Sequence, residues 1–139
     1  MKPIDLAIDE IFVGDTASFE RTWTIEDEDL FAKLSGNFNP LHTDEEYAQT
    51  TKFGHRLVYG MHVAILCSTL VGMYLPGKKC LCLRQDLTFK KPIFINDTVT
   101  VRGTVKTKSS ATGLLDILIS VTKGVDEVVS GIMTVQVLN

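Results

Sequence analysis

The chain has 139 residues, 45% of them hydrophobic, with a formal net charge of −3 and a pI near 5.5. That length predicts one domain, residues 1–139, with a real core. The acidic balance and scattered basic residues, of which Lys78-Lys79 with Arg84 is the one dense group, exclude a dedicated nucleic-acid surface. Cys67, Cys80 and Cys82 are odd in number and set in apolar surroundings, which predicts buried free thiols in a reducing cytoplasm rather than a disulfide framework or a metal site.

Asp5, Asp9 and Glu10 interrupt the only apolar start, so no export signal is expected. A turn at Val13-Gly14-Asp15 leads into a strand through Ala17, Phe19 and Arg21-Thr22-Trp23. Thr24 then reads as an N-cap, with Asp27 at the capping-box position. Leu30, Phe31 and Leu34 supply the apolar stripe of the helix that follows, and Ser35-Gly36 ends it. Asn37 to His42 is expected to be irregular, because Pro40 lacks a donor and disfavours helical backbone at Asn39. Thr43 or Asp44 can cap a second short helix through Glu45, Tyr47 and Ala48, and a loop over Lys52 to Arg56 leads to Gly60.

Val58 to Leu75 is the longest apolar run, holding His62, Ser68, Gly60 and Gly72 and stopping at Pro76. It reads as a buried central helix rather than a membrane span. Met61, Ala64, Ile65, Leu66, Leu70, Val71, Met73 and Leu75 cover most directions around its axis, so it must be surrounded. Leu81, Leu83, Gln85, Leu87 and Phe89 then alternate with their neighbours as a long strand, interrupted by Lys91-Pro92. Asn96-Asp97 and Gly124-Val125-Asp126 are turns that separate strands over Val99 to Ser109, Leu114 to Val121 and Val128 to Val137. The pattern predicts an α+β domain with an antiparallel sheet around one helix. The other sheet face and edge would need a second subunit, so a homodimer is expected.

The polar residues that stand out are crowded into Ser35-Gly36-Asn37-Phe38-Asn39-Pro40-Leu41-His42. His42 is the best candidate base, since an imidazole both takes and gives a proton near neutrality; otherwise it is a loop histidine bonded to its own backbone. Asn39 either orients a ligand or forms a turn. Gly60, at a helix start, can let a ligand carbonyl reach free N–H groups, or can simply relieve crowding. Tyr59, Met61 and His62 stand beside it as candidate pocket residues, His62 being equally readable as a core histidine. His55 belongs to the surface, and Trp23 and Tyr47 read as packing anchors.

These residues resemble the MaoC-like dehydratase family, and in particular its single-domain (R)-specific enoyl-CoA hydratases. Their motif Ser-Gly-Asp-x-Asn-Pro-x-His is matched by Ser35 to His42, with Asn37 at the acid position. Arg56-Leu57-Val58-Tyr59-Gly60-Met61 is similar to the family's Arg-Pro-Ile-Val-His-Gly-Met, and Leu87 to Asp97 to its strand-to-strand segment. The resemblance implies a hot-dog fold, with a long helix wrapped by a curved sheet, assembled as a homodimer.

It also implies reversible syn addition of water to a trans-2-enoyl thioester, carried by coenzyme A or an acyl-carrier protein, giving the (R)-3-hydroxyacyl thioester with no separate cofactor. By the same resemblance, the residues matching Asn37 and His42 hold and activate water. The N–H of the residue matching Gly60 polarises the thioester carbonyl. The acyl tail, of short to medium length, lies along the central helix, and the pantetheine arm enters between subunits.

An amide at position 37 can hold water but cannot take a proton or support a charged His42. Three readings remain open: a hydratase altered at this position, a hydratase given an amide to trap ligand, or an acyl-thioester scaffold turned to hydrolysis or simple binding.

Overall fold

A fourteen-residue helix, α4 (Gly60–Met73), is the element against which the rest of the chain folds. The computed structural model describes residues 1–138; Asn139, the last residue of the expected domain, lies outside them. Val63, Leu66, Cys67, Leu70 and Val71 point from α4 into one apolar cluster. The sheet supplies the other side of that cluster through strands β1 (Thr16–Thr22), β2 (Cys80–Phe89), β3 (Thr98–Ser109), β4 (Leu114–Lys123) and β5 (Asp126–Val137). All neighbours are antiparallel, in the order β1-β3-β4-β5-β2. The last three strands form the expected meander, while β2 crosses over to pair with β5.

Alternation places Val99, Val101 and Val105 of β3 on the inner face, beside Leu115, Ile117, Ile119 and Val121 of β4 and Val129, Met133 and Val135 of β5. Gly103 interrupts this row of branched side chains where the helix presses closest. A Cβ there would stand 2.6 Å from Leu70 Cδ2 and 3.0 Å from Ile117 Cγ2. One extra residue each in β2, β3 and β5, namely Leu83, Lys106 and Val128, bends the strands.

The shift in β2, between Cys82 and Arg84, alters the period-two reading. Cys80 and Cys82 pair with the inner residues Val137 and Val135, but Gln85, Leu87 and Phe89 pair with Met133, Gly131 and Val129. Leu81 and Leu83 therefore face away from the side that Leu87 and Phe89 share, because one extra residue reverses every later side chain.

The helix α1 (Ile25–Ser35) starts at the expected capping box: Thr24 Oγ1 accepts from the Asp27 N–H and the Asp27 carboxylate accepts from the Thr24 N–H. It ends at Gly36, whose φ of 71° favours glycine. Its buried face is not the expected one. Leu30 and Leu34 are 66% and 79% exposed, whereas Glu28 and Ala32 are buried with Phe31 half-buried beside them.

The stretch after it is also more regular than expected, because Pro40 opens a helical turn, α2 (Pro40–Thr43), instead of breaking one. Proline fits the first helical position, where its missing N–H costs nothing, and Asn39 Oδ1 caps the turn at the Leu41 N–H, 3.0 Å away. Asp44, not Thr43, caps α3 (Glu45–Gln49).

Three further expectations need correcting. The central helix is not enclosed on every side, since Met61 and Ile65 are 64% and 44% exposed: one sheet covers only one flank. Tyr47 is an exposed residue, while Trp23 is the fully buried anchor expected. Cys67 is a buried thiol, pushed up to about 12 by burial, but Cys82 is exposed. No helix among the described residues is long and apolar enough to cross a membrane.

Filling the Gly103 gap tests the seating of the helix. Gly103→Val is expected to lower unfolding stability by about 1–3 kcal/mol through overpacking, read as a drop in the urea midpoint. Gly72→Ala, where no atom lies within 4 Å of the added carbon, should not lower it.

Candidate active site

The segment after α1 is held by side chains that bond the backbone two residues ahead. Ser35 Oγ accepts from the Asn37 N–H at 3.2 Å, Asn37 Oδ1 from the Asn39 N–H at 3.1 Å, and Asn39 Oδ1 from the Leu41 N–H at 3.0 Å. Short polar side chains of this kind build tight turns. Their spacing makes the segment specific, and it delivers His42 on the single turn of α2.

His42 is fixed by the extended segment before α4. Its Nδ1 lies 2.8 Å from the Leu57 carbonyl oxygen. A carbonyl only accepts, so Nδ1 carries the hydrogen and the lone pair is on Nε2. One nitrogen thus has the backbone role that sequence alone allowed for the whole ring, and the other is left without a protein partner among the described residues.

The Leu57 N–H donates in turn to the Leu41 carbonyl, closing α2 against the segment. Arg56 completes the clamp: Nε donates to the His42 carbonyl at 2.7 Å and a terminal nitrogen to Asp29 Oδ1 at 2.7 Å. Glu45 accepts from the Arg56 N–H and from the exposed His55 ring, which hold its carboxyl below the usual range, with His55 the larger cause.

Tyr59 lies behind His42. The two rings stack at 4.1 Å, and the Phe31 ring meets the tyrosine at a tilt, 4.9 Å away. The Tyr59 hydroxyl donates to the Asn37 carbonyl oxygen at 2.5 Å, joining the start of α4 to the loop. Burial, followed by the nearby Glu28 carboxylate, pushes the phenol above its ordinary value, so it stays a donor.

His42 and Gly60 line one groove of about 430 Å³, together with Leu57, Val63, Phe89, Pro92 and Ile93. Lys52, Lys90 and Lys91 add amines to the same wall. Lys90 pairs with Glu127, and Lys91 with Asp126 at 2.6 Å. Among the described residues, neither the Gly60 nor the Met61 N–H has a hydrogen-bond partner, as expected of a first helical turn.

A Cβ on Gly60 would lie 3.2 Å from the Phe89 ring, so the glycine relieves crowding as well as baring its amide. A second groove, of about 400 Å³, is lined by Ile25, Glu45, His55, Arg56, Phe94, Ile95 and Asn96. It contains neither His42 nor the start of α4, so the chemistry favours the first.

The candidates are thus only partly gathered. His42 and Gly60 share the groove and Tyr59 backs it. Asn37 and Asn39 are exposed beside it, each with its amide oxygen committed to the backbone. Met61 points to solvent. The His62 ring turns away from the groove, to Glu28 Oε1 at 2.5 Å and flat against Phe31 at 4.8 Å, which is the core-histidine placement rather than the pocket-lining one.

Glu28 and Asp29 are supporting residues that nothing in the sequence reading pointed to, while Arg56, noted there only within its motif, gains the role of a clamp. The helical spacing of Glu28, Phe31 and Ala32 was the available signal, but a glutamate on a helix ordinarily reads as solvated. No group of three or more His, Cys, Asp or Glu residues able to hold a metal ion occurs among the described residues.

Comparison with known proteins agrees with this architecture. The MaoC like domain family profile matches residues 12–129. The chain is 44% identical over 88 residues to an (R)-specific enoyl-CoA hydratase of Aeromonas caviae, a stretch covering 63% of this chain and 66% of that protein. It is 43% identical over 97 residues to the protein of the same name from Rhodospirillum rubrum, covering 70% and 67%. These matches therefore span about two thirds of the relatives' lengths.

Among solved structures, an (R)-hydratase from A. caviae described as involved in PHA biosynthesis superposes with a TM-score of 0.88 at 35% identity, covering 93% of this chain and 98% of that one. An R-hydratase from Pseudomonas aeruginosa gives 0.92 at 29%, covering 97% and 87%. These neighbours carry the hot-dog fold, which the sheet and α4 of this chain reproduce. A family match running from Phe12 to Val129, over a fold shared almost from end to end, places this chain in the MaoC-like domain family.

Proposed function

We propose that this protein is an (R)-specific enoyl-CoA hydratase, a hydro-lyase that adds water syn across a short to medium trans-2-enoyl-CoA to give the (R)-3-hydroxyacyl-CoA. The observation that carries the reading is the 2.8 Å contact between His42 Nδ1 and the Leu57 carbonyl oxygen. With Nδ1–H bound to Leu57, a basic Nε2 is left on a ring that lines the same groove as the unpartnered Gly60 amide. The relatives' names supply the reaction class.

In the hydration direction, water donates a proton to Nε2 as its oxygen bonds to C3. The C2–C3 π electrons move toward C1, and charge develops on the thioester oxygen, where the Gly60 N–H donates to it. The imidazolium then returns the proton to C2, so hydroxide and proton both come from one water and His42 ends unchanged.

Asn37 takes the part of a water holder. Its Oδ1 is committed to the Asn39 N–H, so its amide hydrogens remain to bind the water oxygen and turn a water hydrogen toward His42. It cannot relieve His42 of a proton or balance the imidazolium charge, so turnover is slower than with an acid at that position.

The acyl chain runs along α4 past Val63, and Lys52, the groove lysine with no carboxylate partner among the described residues, suits a phosphate of coenzyme A. A second copy of the chain would cover the Met61–Ile65 stripe and the exposed β2 edge, making the working form a homodimer. Three unpaired cysteines are in keeping with a cytoplasmic setting.

Crotonyl-CoA provides the test, followed by loss of absorbance of the conjugated thioester and by chiral analysis of the product. Asn37→Asp should raise kcat by about 10²-fold or more, the range for one positioned acid or base, with KM changed far less. Absence of hydration in both forms, or release of free coenzyme A without a hydroxyacyl product, would overturn the reading in favour of binding or thioester hydrolysis. His42→Ala should lower kcat at least about 10²-fold while binding of saturated butyryl-CoA persists. An active alanine variant would show that another group is the base.

A further inference from the structure

Beneath the first turn of α4 lies a carboxyl–imidazole pair that the hydration steps leave unused. Glu28 is fully buried. Its Oε2 accepts from the Tyr59 N–H at 2.9 Å and its Oε1 meets His62 Nδ1 at 2.5 Å. Tyr59 is the N-cap of α4, so the carboxylate sits on the amide immediately before Gly60. Phe31 lies flat on the His62 ring and Trp23 meets it edge-on, centroids 6.0 Å apart, so little water reaches the pair. The rings of His42, Tyr59, Phe31 and His62 touch in succession, with centroids 4.1, 4.9 and 4.8 Å apart.

Two effects compete at this spot. A carboxylate at a helix N-terminus favours the helix itself. The same charge opposes the negative charge of an enolate forming against the next amide, and burial strengthens that opposition. A buried carboxylate with no partner is also costly in itself. A carboxyl and an imidazole sharing one proton carry no net charge, whichever of the two holds it, so His62 resolves the conflict.

We propose that Glu28 and His62 are positioning residues for the thioester end of the site: the carboxylate fixes the Tyr59 amide and the first helical turn, and His62 cancels the charge that would otherwise oppose enolate formation at Gly60. This deepens the hydratase reading and rests on it.

The test combines crotonyl-CoA kinetics with the infrared carbonyl stretch of bound, unreactive butyryl-CoA. It compares the parent, Glu28→Ala, His62→Gln and the Glu28→Gln/His62→Gln double variant, with thermal unfolding as the check on folding. His62→Gln keeps a hydrogen bond to Glu28 but strips its compensation. It should lower kcat about tenfold, less than loss of an oxyanion donor itself, with KM little changed and the carbonyl stretch moved toward that of free butyryl-CoA.

The double variant, a neutral pair again, should recover both to within about threefold of the parent rate, since the enolate then faces no net charge. Glu28→Ala, which removes the acceptor of the Tyr59 N–H, should lower kcat about tenfold and move the carbonyl stretch toward that of free butyryl-CoA, and this arm decides the matter even if His62→Gln does not fold. A single His62→Gln variant at the parent rate, a double variant as slow as it, or a folded Glu28→Ala variant at the parent rate would overturn the proposal. A parent that neither hydrates crotonyl-CoA nor binds butyryl-CoA would instead remove the hydratase reading beneath it.

Discussion

Seating α4 on the inner sheet face is the constraint from which the remaining geometry follows. Leu70 occupies the gap left by Gly103, and the branched residues of β3, β4 and β5 close around it. Once the helix is fixed there, its first turn can lie in only one place, at the edge of the sheet beside Phe89. The amide of Gly60, the ring of Tyr59 and the segment leading to them are carried along. The hydrophobic effect supplies the driving force, and close packing at Gly103 makes the depth of the helix specific.

What the core cannot do is orient His42, which stands on a turn too short to be stable alone. That task falls to hydrogen bonds from three directions. Ser35, Asn37 and Asn39 shape the approach, Leu57 holds the ring by Nδ1, and Arg56 ties the His42 carbonyl to Asp29 of α1. Tyr59 crosses between the two halves through its hydroxyl and its ring faces. The candidate groups His42 and Gly60 therefore rest on elements that pin one another, which holds both in one geometry.

Much of this was legible along the chain wherever a local rule operates. The Thr24–Asp27 box, the glycine after Ser35 and the cap at Asp44 are set by bonds within a few residues, and they appear where the sequence places them. The Asn39-Pro40 pair misled for the same local reason, because proline that ends one helix also begins another when the residue before it is a good cap. The β2 bulge was invisible, since the alternation of Leu81 to Phe89 looks continuous and only the pairing with β5 shows where the faces exchange. The exposure of Leu30 and Leu34 was likewise unreadable, because a helix turns toward whichever neighbour its other face can engage, here through Glu28 and Phe31.

By itself, then, the sequence determined the elements, their order and the family: capping, alternation and motif spacing are short-range properties carried by the residues themselves. It also determined that position 37 holds an amide, and with it what that side chain cannot do. Only the tertiary structure decided which nitrogen of His42 is free, that Gly60 opens onto the same groove, and that His62 belongs to a buried pair with Glu28. Each of these depends on contacts between residues 15 to 34 positions apart or on a cavity between elements, and no local preference specifies which distant carbonyl or carboxylate a side chain will meet.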